Sequence, residues 1–227
     1  MNGYLLVDKP KGWTSFDVVA KVRSLARQAT GDKKIKVGHA GTLDPMATGL
    51  LIVLIGNYTK KQDEFMKLDK VYEAELTLGA TSDTYDAEGT ITSVSDVVPS
   101  VDLLQQTLNG FIGSIEQMPP AYSALKINGK KAYELARKGV QPDLKSRKVT
   151  IYSIDDINYD YPKLAFGVHV SSGTYVRSLA NDIGQKVNLG AYLSNLRRTR
   201  IGDYNISKAI LITDITSENL SSKLTDQ

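Results

Sequence analysis

A mixed α+β fold built on a largely antiparallel sheet is predicted by three features of the sequence. An unbroken apolar run at residues 50–55 reads as a buried strand, although periodicity by itself leaves a short helix open. Two stretches alternate with period two, Tyr72, Ala74, Leu76 and Leu78 in one and Leu164, Phe166, Val168 and Val170 in the other. Two more carry apolar residues at helical spacing: Phe16, Val19, Val22 and Ala26, then Val176, Leu179, Ile183 and Val187. With no repeat and no obvious linker, one domain over residues 1–215 is the simplest organisation, followed by a loose polar tail at 216–227.

In chain order, Gly3-Tyr4-Leu5-Leu6-Val7 is a short first strand, and Asp8-Lys9-Pro10-Lys11-Gly12 is a turn with two lysines. Thr14 or Ser15 caps the first helix. After the buried run, the alternating strand of Tyr72 leads into a polar loop at 81–89, whose Asp83, Asp86 and Glu88 match no metal-ligand spacing. A helix over 101–111 follows, and Met118-Pro119-Pro120 interrupts regular structure. Asn128-Gly129 is a favoured hairpin turn, with a lysine-rich helix around 130–138 beyond it. Strands recur at 149–157 and 164–171, the second pointing His169 away from its apolar face, where a structural role suffices. Gly173-Thr174-Tyr175-Val176-Arg177 opens a helix, a shorter helix covers 191–196, and 203–215 reads as terminal strand material.

Composition narrows the function. The chain has 227 residues, 41% hydrophobic and 23% charged, which is globular rather than disordered. It has no cysteine, hence no disulfide framework and no thiolate metal site. No signal-peptide pattern opens the chain, and no apolar run approaches the roughly 18 residues of a membrane span, so a cytoplasmic protein is expected. The net charge of +3 is unevenly spread. Before Ala40, eight basic residues (Lys9, Lys11, Lys21, Arg23, Arg27, Lys33, Lys34 and Lys36) face only Asp8, Asp17 and Asp32, and Arg197-Arg198-Thr199-Arg200 forms a second cluster. Such patches suit a polyanion partner, a solvated surface being the plain alternative.

The most unusual stretch is Gly38-His39-Ala40-Gly41-Thr42-Leu43-Asp44-Pro45-Met46-Ala47-Thr48-Gly49. Pro45 biases Asp44 away from the helical region, displaying its carboxylate on a loop directly before the buried run. Phosphate cradling is the rival reading of the glycines, but no Gly-Lys-Ser/Thr ending and no G-x-G-x-x-G follows a strand. A serine hydrolase elbow is absent, and two distant histidines do not make a zinc site. A carboxylate-centred site with tyrosines and arginines available remains, and it implies no cofactor and no metal. The residues themselves lead to an RNA-like partner and a candidate acid, not to a reaction.

Six ordered segments go further: Asp8-Lys9-Pro10-Lys11-Gly12, residues 38–45, Lys70-Val71-Tyr72, Tyr122-Ser123-Ala124-Leu125-Lys126, Gly173-Thr174-Tyr175-Val176-Arg177 and Leu196-Arg197-Arg198. Together they resemble the motif set of the TruB family of tRNA pseudouridine-55 synthases. The resemblance implies a pseudouridine synthase fold, a mixed sheet flanked by helices with a central cleft. It implies isomerisation of uridine-55 in the T loop of tRNA after base flipping, without cofactor, guide RNA or protein partner, by a monomer. Asp44 corresponds to the family's catalytic aspartate, and Arg177 to the arginine that pairs with it. Tyr72 corresponds to the tyrosine that stacks on the target base, His39 to the histidine that fills the gap left by flipping, and Tyr175 and Leu196 to residues lining the uridine pocket. Lys9, Lys126, Arg197 and Arg198 are then expected as RNA phosphate contacts. Two departures stand out: Ala40 occupies a position where many relatives carry threonine, and only 27 residues follow Arg200, too few for a full C-terminal PUA domain.

Overall fold

The computed structural model describes residues 1–225 other than positions 124 and 128. The chain forms two compact units, Met1–Tyr72 with Leu196–Gln227, and Glu73–Asn195. The reason no linker is visible is that the chain passes between units inside two strands rather than through a flexible segment.

The first unit begins with β1 (Gly3–Lys9), α1 (Ser15–Thr30), β2 (Val37–His39), β3 (Thr48–Ile55) and α2 (Gln62–Met66). The chain leaves it along β4 (Lys70–Leu78). The second unit holds β5 (Ala80–Ser82), β6 (Ile91–Ser93), α3 (Val101–Asn109), β7 (Gly113–Gln117), β8 (Lys126–Ile127), β9 (Lys130–Lys131) and α4 (Ala132–Ala136). It continues with β10 (Arg147–Asp160), β11 (Lys163–Val170) and α5 (Val176–Lys186). The chain returns along β12 (Ala191–Ile201) and ends with β13 (Tyr204–Asn205), β14 (Ile210–Leu211) and α6 (Leu220–Lys223).

In the first unit, β3 pairs antiparallel with β1 over its whole length and with β2 at its far end, and parallel with β12 at Arg197↔Thr48 and Arg198↔Gly49. One face of β3 (Leu51, Val53, Ile55) packs on α1 through Val18, Val22, Leu25 and Ala26. The other face (Leu50, Ile52, Leu54) packs on Tyr4, Tyr58, Phe65 and Ile201. Burial on both faces explains the continuous apolar run, because alternation marks a strand only when one face is wet. The α1 helix starts at a capping box: the Thr14 hydroxyl accepts from Asp17 N at 3.0 Å while the Asp17 carboxylate accepts from Thr14 N at 2.8 Å. It stops at Gly31, whose φ of 71° a side chain would disfavour. Phe16, expected in the apolar stripe, is instead 63% exposed. It lies about 180° around the helix from Leu25 and sits beneath the Arg23 guanidinium, 5.7 Å from its ring centre.

The second unit contains an antiparallel meander, β7–β10–β11, with Leu164, Phe166, Val168 and Val170 buried as their alternation predicts. His169 points to the other side, its ring centre 4.6 Å from that of Tyr152 in a tilted contact. The mixed α+β class is therefore the observed one. The helix expected over 191–196 is wrong: these residues begin the strand β12, because its cross-strand hydrogen bonds override the helix propensity of Ala and Leu. The tail expected to be loose is also tied down as far as Thr225. Leu220 is fully buried, and Thr225 and Tyr4 exchange two backbone hydrogen bonds of 3.0 Å each. Among the described residues no helix is long and apolar enough to cross a membrane.

Candidate active site

The loop between β2 and β3 carries the candidate acid, and its backbone is held at almost every turn. Ser15, buried at the start of α1, uses one hydroxyl twice: it accepts from Leu43 N at 2.8 Å and donates to Leu43 O at 3.1 Å. Pro45 O accepts from Gly12 N at 2.8 Å and from Lys9 Nζ at 3.4 Å. Ala47 N donates to Asp44 O at 3.1 Å, and Ala40 N donates to Ile52 O at 2.9 Å. Asp44 is half-buried within this frame. A carboxylate on a loop so fixed loses little orientational freedom when it reacts.

Two residues expected to meet RNA phosphates do something else. Lys9 is fully buried, and its ammonium also donates to Trp13 O at 2.6 Å and Pro10 O at 2.9 Å. Arg198 is 1% exposed and donates from Nε to Leu50 O at 2.8 Å and from Nη2 to Gly41 O at 3.0 Å. Buried cations that donate to backbone carbonyls brace the loop, and burial keeps both from a solvent-side polyanion. Arg197 is partly exposed and grips Asp8 with both terminal nitrogens, at 2.7 and 3.2 Å. The side chain of Lys126 lies outside what is described, as does position 128 of the expected hairpin turn.

His39 ends β2 half-buried, its carbonyl accepting from Gln62 Nε2 at 2.9 Å. Burial, and then the charge of Arg198, hold its imidazole below the usual histidine pKa, so the ring is neutral at pH 7. Its Nδ1 is buried with no hydrogen-bond partner among the described residues. Tyr72 on β4 and Leu196 on β12 are buried, 8% and 6% exposed. Beside Tyr72, the Lys70 ammonium donates to Met66 O at 2.6 Å and to Leu68 O. Burial, with Arg198 adding to it, lowers the Lys70 pKa to about 8.

Tyr175 and Arg177 belong to the second unit, at the start of α5. Tyr175 is clamped by buried Gln117, which accepts from Tyr175 N at 2.8 Å and donates to Tyr175 O at 3.1 Å. The Arg147 guanidinium lies 4.4 Å from the Tyr175 ring centre and donates to Gly173 O. Arg177 is buried and reaches the Asp86 carboxylate at 3.2 Å, Thr84 O at 3.2 Å and Tyr122 O at 2.9 Å. Asp86 is itself buried and accepts from Thr84 Oγ1 at 2.6 Å and Glu88 N at 3.0 Å. Tyr85, between two Arg177 partners, has a φ of 64°, a conformation a bulky residue keeps only when its surroundings impose it.

Asp86, Gln117 and Arg147 had no assigned role in the sequence. Asp86 stood among acids weighed as metal ligands; its burial, which no local pattern reveals, makes it an ion-pair partner instead. Among the described residues no cluster of three His, Asp or Glu side chains is placed to hold a metal ion. At the opposite end of β3 from Asp44, a pocket of about 420 Å³ is lined by Lys34, Lys36 and Lys60 together with Asp32, Asn2 and Asn57.

Comparison with known proteins gives these parts a family. Residues 27–176 match the TruB family pseudouridylate synthase N-terminal domain, and residues 177–226 match the tRNA pseudouridylate synthase B C-terminal domain. A protein named tRNA pseudouridine synthase B from Clostridium kluyveri is 48% identical over 97% of this chain and 74% of its own length. The protein of that name from Phocaeicola vulgatus is 45% identical over 92% of this chain and 89% of its own. Among solved structures, a chain of a Cbf5-Nop10-Gar1 complex superposes with a TM-score of 0.68 at 29% identity, covering 93% of this chain and 53% of that one. One from an H/ACA RNP bound to a substrate RNA superposes with a TM-score of 0.66 at 28% identity, covering 93% and 51%. This chain thus spans about half the length of those two solved chains. The matches cover both units and every motif that singled out the Asp44 loop, and the chain belongs to the TruB family of pseudouridylate synthases, enzymes that form pseudouridine in tRNA.

Proposed function

We propose that this protein converts uridine-55 in the T loop of tRNA into pseudouridine, with Asp44 as the catalytic group. The observation that carries the reading is the pinned loop: four separate elements of hydrogen bonding fix the backbone on either side of one half-buried carboxylate. The reaction breaks the N1–C1′ bond, turns the base and joins C5 to C1′, with the C5 proton lost and one gained at N1. Nothing is oxidised or reduced, so the step needs no electron donor or acceptor. By the motifs that carry them, Tyr72 is assigned to stacking on the base, Tyr175 and Leu196 to recognition of the uridine, and Arg177 to electrostatic support of the reaction. His39 fills the space the flipped base vacates, its ring offering a stacking face in the RNA loop.

The lysine-lined pocket beyond β3 supplies phosphate contacts to the same tRNA. Among the described residues no carboxylate pairs with Lys34, Lys36 or Lys60, so their charge is available to a polyanion. The enzyme acts in the cytoplasm, as a monomer and without a guide RNA. The two solved structures described above come from a Cbf5-Nop10-Gar1 complex and an H/ACA RNP, yet the higher identity and coverage of the tRNA enzymes favour the stand-alone reading. Chemical mapping of pseudouridine in a transcribed tRNA tests it. Wild-type protein is expected to give a signal at position 55 that Asp44→Asn abolishes; a wild-type protein that leaves uridine-55 unchanged overturns it.

A further inference from the structure

We propose that Arg198 is a positioning residue for the Asp44 loop, closing its neck from beneath, and makes no contact with RNA. The proposal rests on the reading of Asp44 as the catalytic group. The two carbonyls that Arg198 holds, Gly41 O and Leu50 O, belong to residues on either side of the segment 42–49 that contains Asp44. One planar guanidinium therefore ties the entry and the exit of the loop to each other and both to β12. A lysine in its place has a single nitrogen and cannot reproduce that fork.

The backbone around the clamp is built to admit it. Gly49 has a φ of 104°, and a side chain there would place its first carbon 2.3 Å from Arg198 O. Gly41 has a φ of 100°, and its first side-chain carbon would lie 3.5 Å from Arg198 Nη1. Two glycines of the loop thus meet the same arginine, one at its backbone and one at its guanidinium. Gly49 lets β3 start directly against β12 in parallel register at Arg198↔Gly49.

Burial separates this role from RNA binding. At 1% exposure, with Nε and Nη2 committed to carbonyls, Arg198 meets a phosphate only if the loop is first taken apart. Among the described residues no carboxylate lies within ion-pairing distance of it, so the charge is retained without a salt-bridge partner. Its field nevertheless reaches its neighbours, since it opposes protonation of both His39 and Lys70. A buried cation kept on these terms is explained by the geometry it imposes on the loop.

The test uses the full chain and transcribed tRNA, with three proteins: wild type, Arg198→Met and Arg198→Lys. Folding is checked by circular dichroism, affinity by filter binding at two salt concentrations, and chemistry by the single-turnover rate of pseudouridine formation. Arg198→Met is expected to bind tRNA within about twofold of wild type with an unchanged salt slope, while its rate falls about 30-fold or more. Arg198→Lys is expected to recover part of that rate at the same affinity. A rate within twofold of wild type in either folded variant overturns the proposal. So does an affinity loss of tenfold with a salt slope reduced by about 0.7–0.9, the signature of a lost phosphate contact. If Arg198→Met does not fold, Arg198→Lys decides by the same two numbers. A wild-type protein that forms no pseudouridine removes the functional reading itself, and that result is seen before any variant is compared.

Discussion

Arg177 and Asp86 form an ion pair of 3.2 Å whose side chains are 7% and 3% exposed. Neither charge reaches bulk solvent, so each depends on its surroundings for compensation. The pair ties the first turn of α5 to the loop of residues 84–88 and places a fixed positive charge on a motif shared with the family.

Replacing Asp86 by Asn is expected to lower stability by about 3–5 kcal/mol, because it removes the charge of one partner from a buried ion pair. Pseudouridine formation should fall more than tenfold even under conditions where the variant is folded. Urea unfolding and a single-turnover assay measure the two effects separately. A variant with wild-type stability would show that the pair carries no net energy.

Ser15→Ala removes both hydrogen bonds to Leu43, one residue before Asp44. A buried amide and carbonyl lose their partner, which costs roughly 1–3 kcal/mol. The expected kinetic result is a severalfold drop in rate with tRNA affinity unchanged, since Ser15 is 2% exposed and lies under the loop. A variant whose affinity falls and whose rate does not would contradict that placement.

Lys70 gives the fold a pH dependence on the alkaline side. Its pKa is about 8 in the folded protein against 10.5 for an ordinary lysine. Between those two pH values the unfolded chain holds a proton that the folded chain does not, so this group's contribution to stability rises with pH across that window. Below about pH 8 its penalty is fully present. The difference in unfolding free energy between wild type and Lys70→Met should therefore change in favour of wild type by up to about 3 kcal/mol from pH 8 to 10.5. A difference that stays flat over that range would show that the ammonium keeps its ordinary affinity for protons.

Converting Lys34, Lys36 and Lys60 to Glu together is expected to weaken tRNA binding at least tenfold and to lower the salt slope by about two or more. The rate at saturating tRNA should stay near that of wild type, because the pocket lies at the end of β3 away from Asp44. Binding measured between roughly 50 and 200 mM salt decides this. An unchanged slope would remove the pocket from the RNA interface.

Much of the fold could be read before any coordinates. Thr14, one of the two residues expected to cap α1, does cap it, since capping is decided by residues close in the chain. The alternation in β4 and β11 matches their buried faces for the same local reason. Residues 191–196 misled because a strand joined by cross-strand hydrogen bonds need not show its pairing in its own sequence. The tail misled in the same way: Thr225 is ordered by a partner, Tyr4, more than two hundred positions away.

For the candidate site, the sequence by itself singled out the residues proposed to carry chemistry. Pro45 beside Asp44, the glycines around them and the motifs downstream are short-range patterns, legible without a third dimension. Only the tertiary structure decided what the neighbouring charges do. Lys9 and Arg198 look like surface cations in the sequence, yet folding buries both and turns their donors onto the carbonyls of the Asp44 loop. Asp86 looked like one acid of several, yet folding buries it against Arg177. The physical reason is common to all three: a charged side chain's role depends on how much water remains around it, and burial is set by residues far away in the chain.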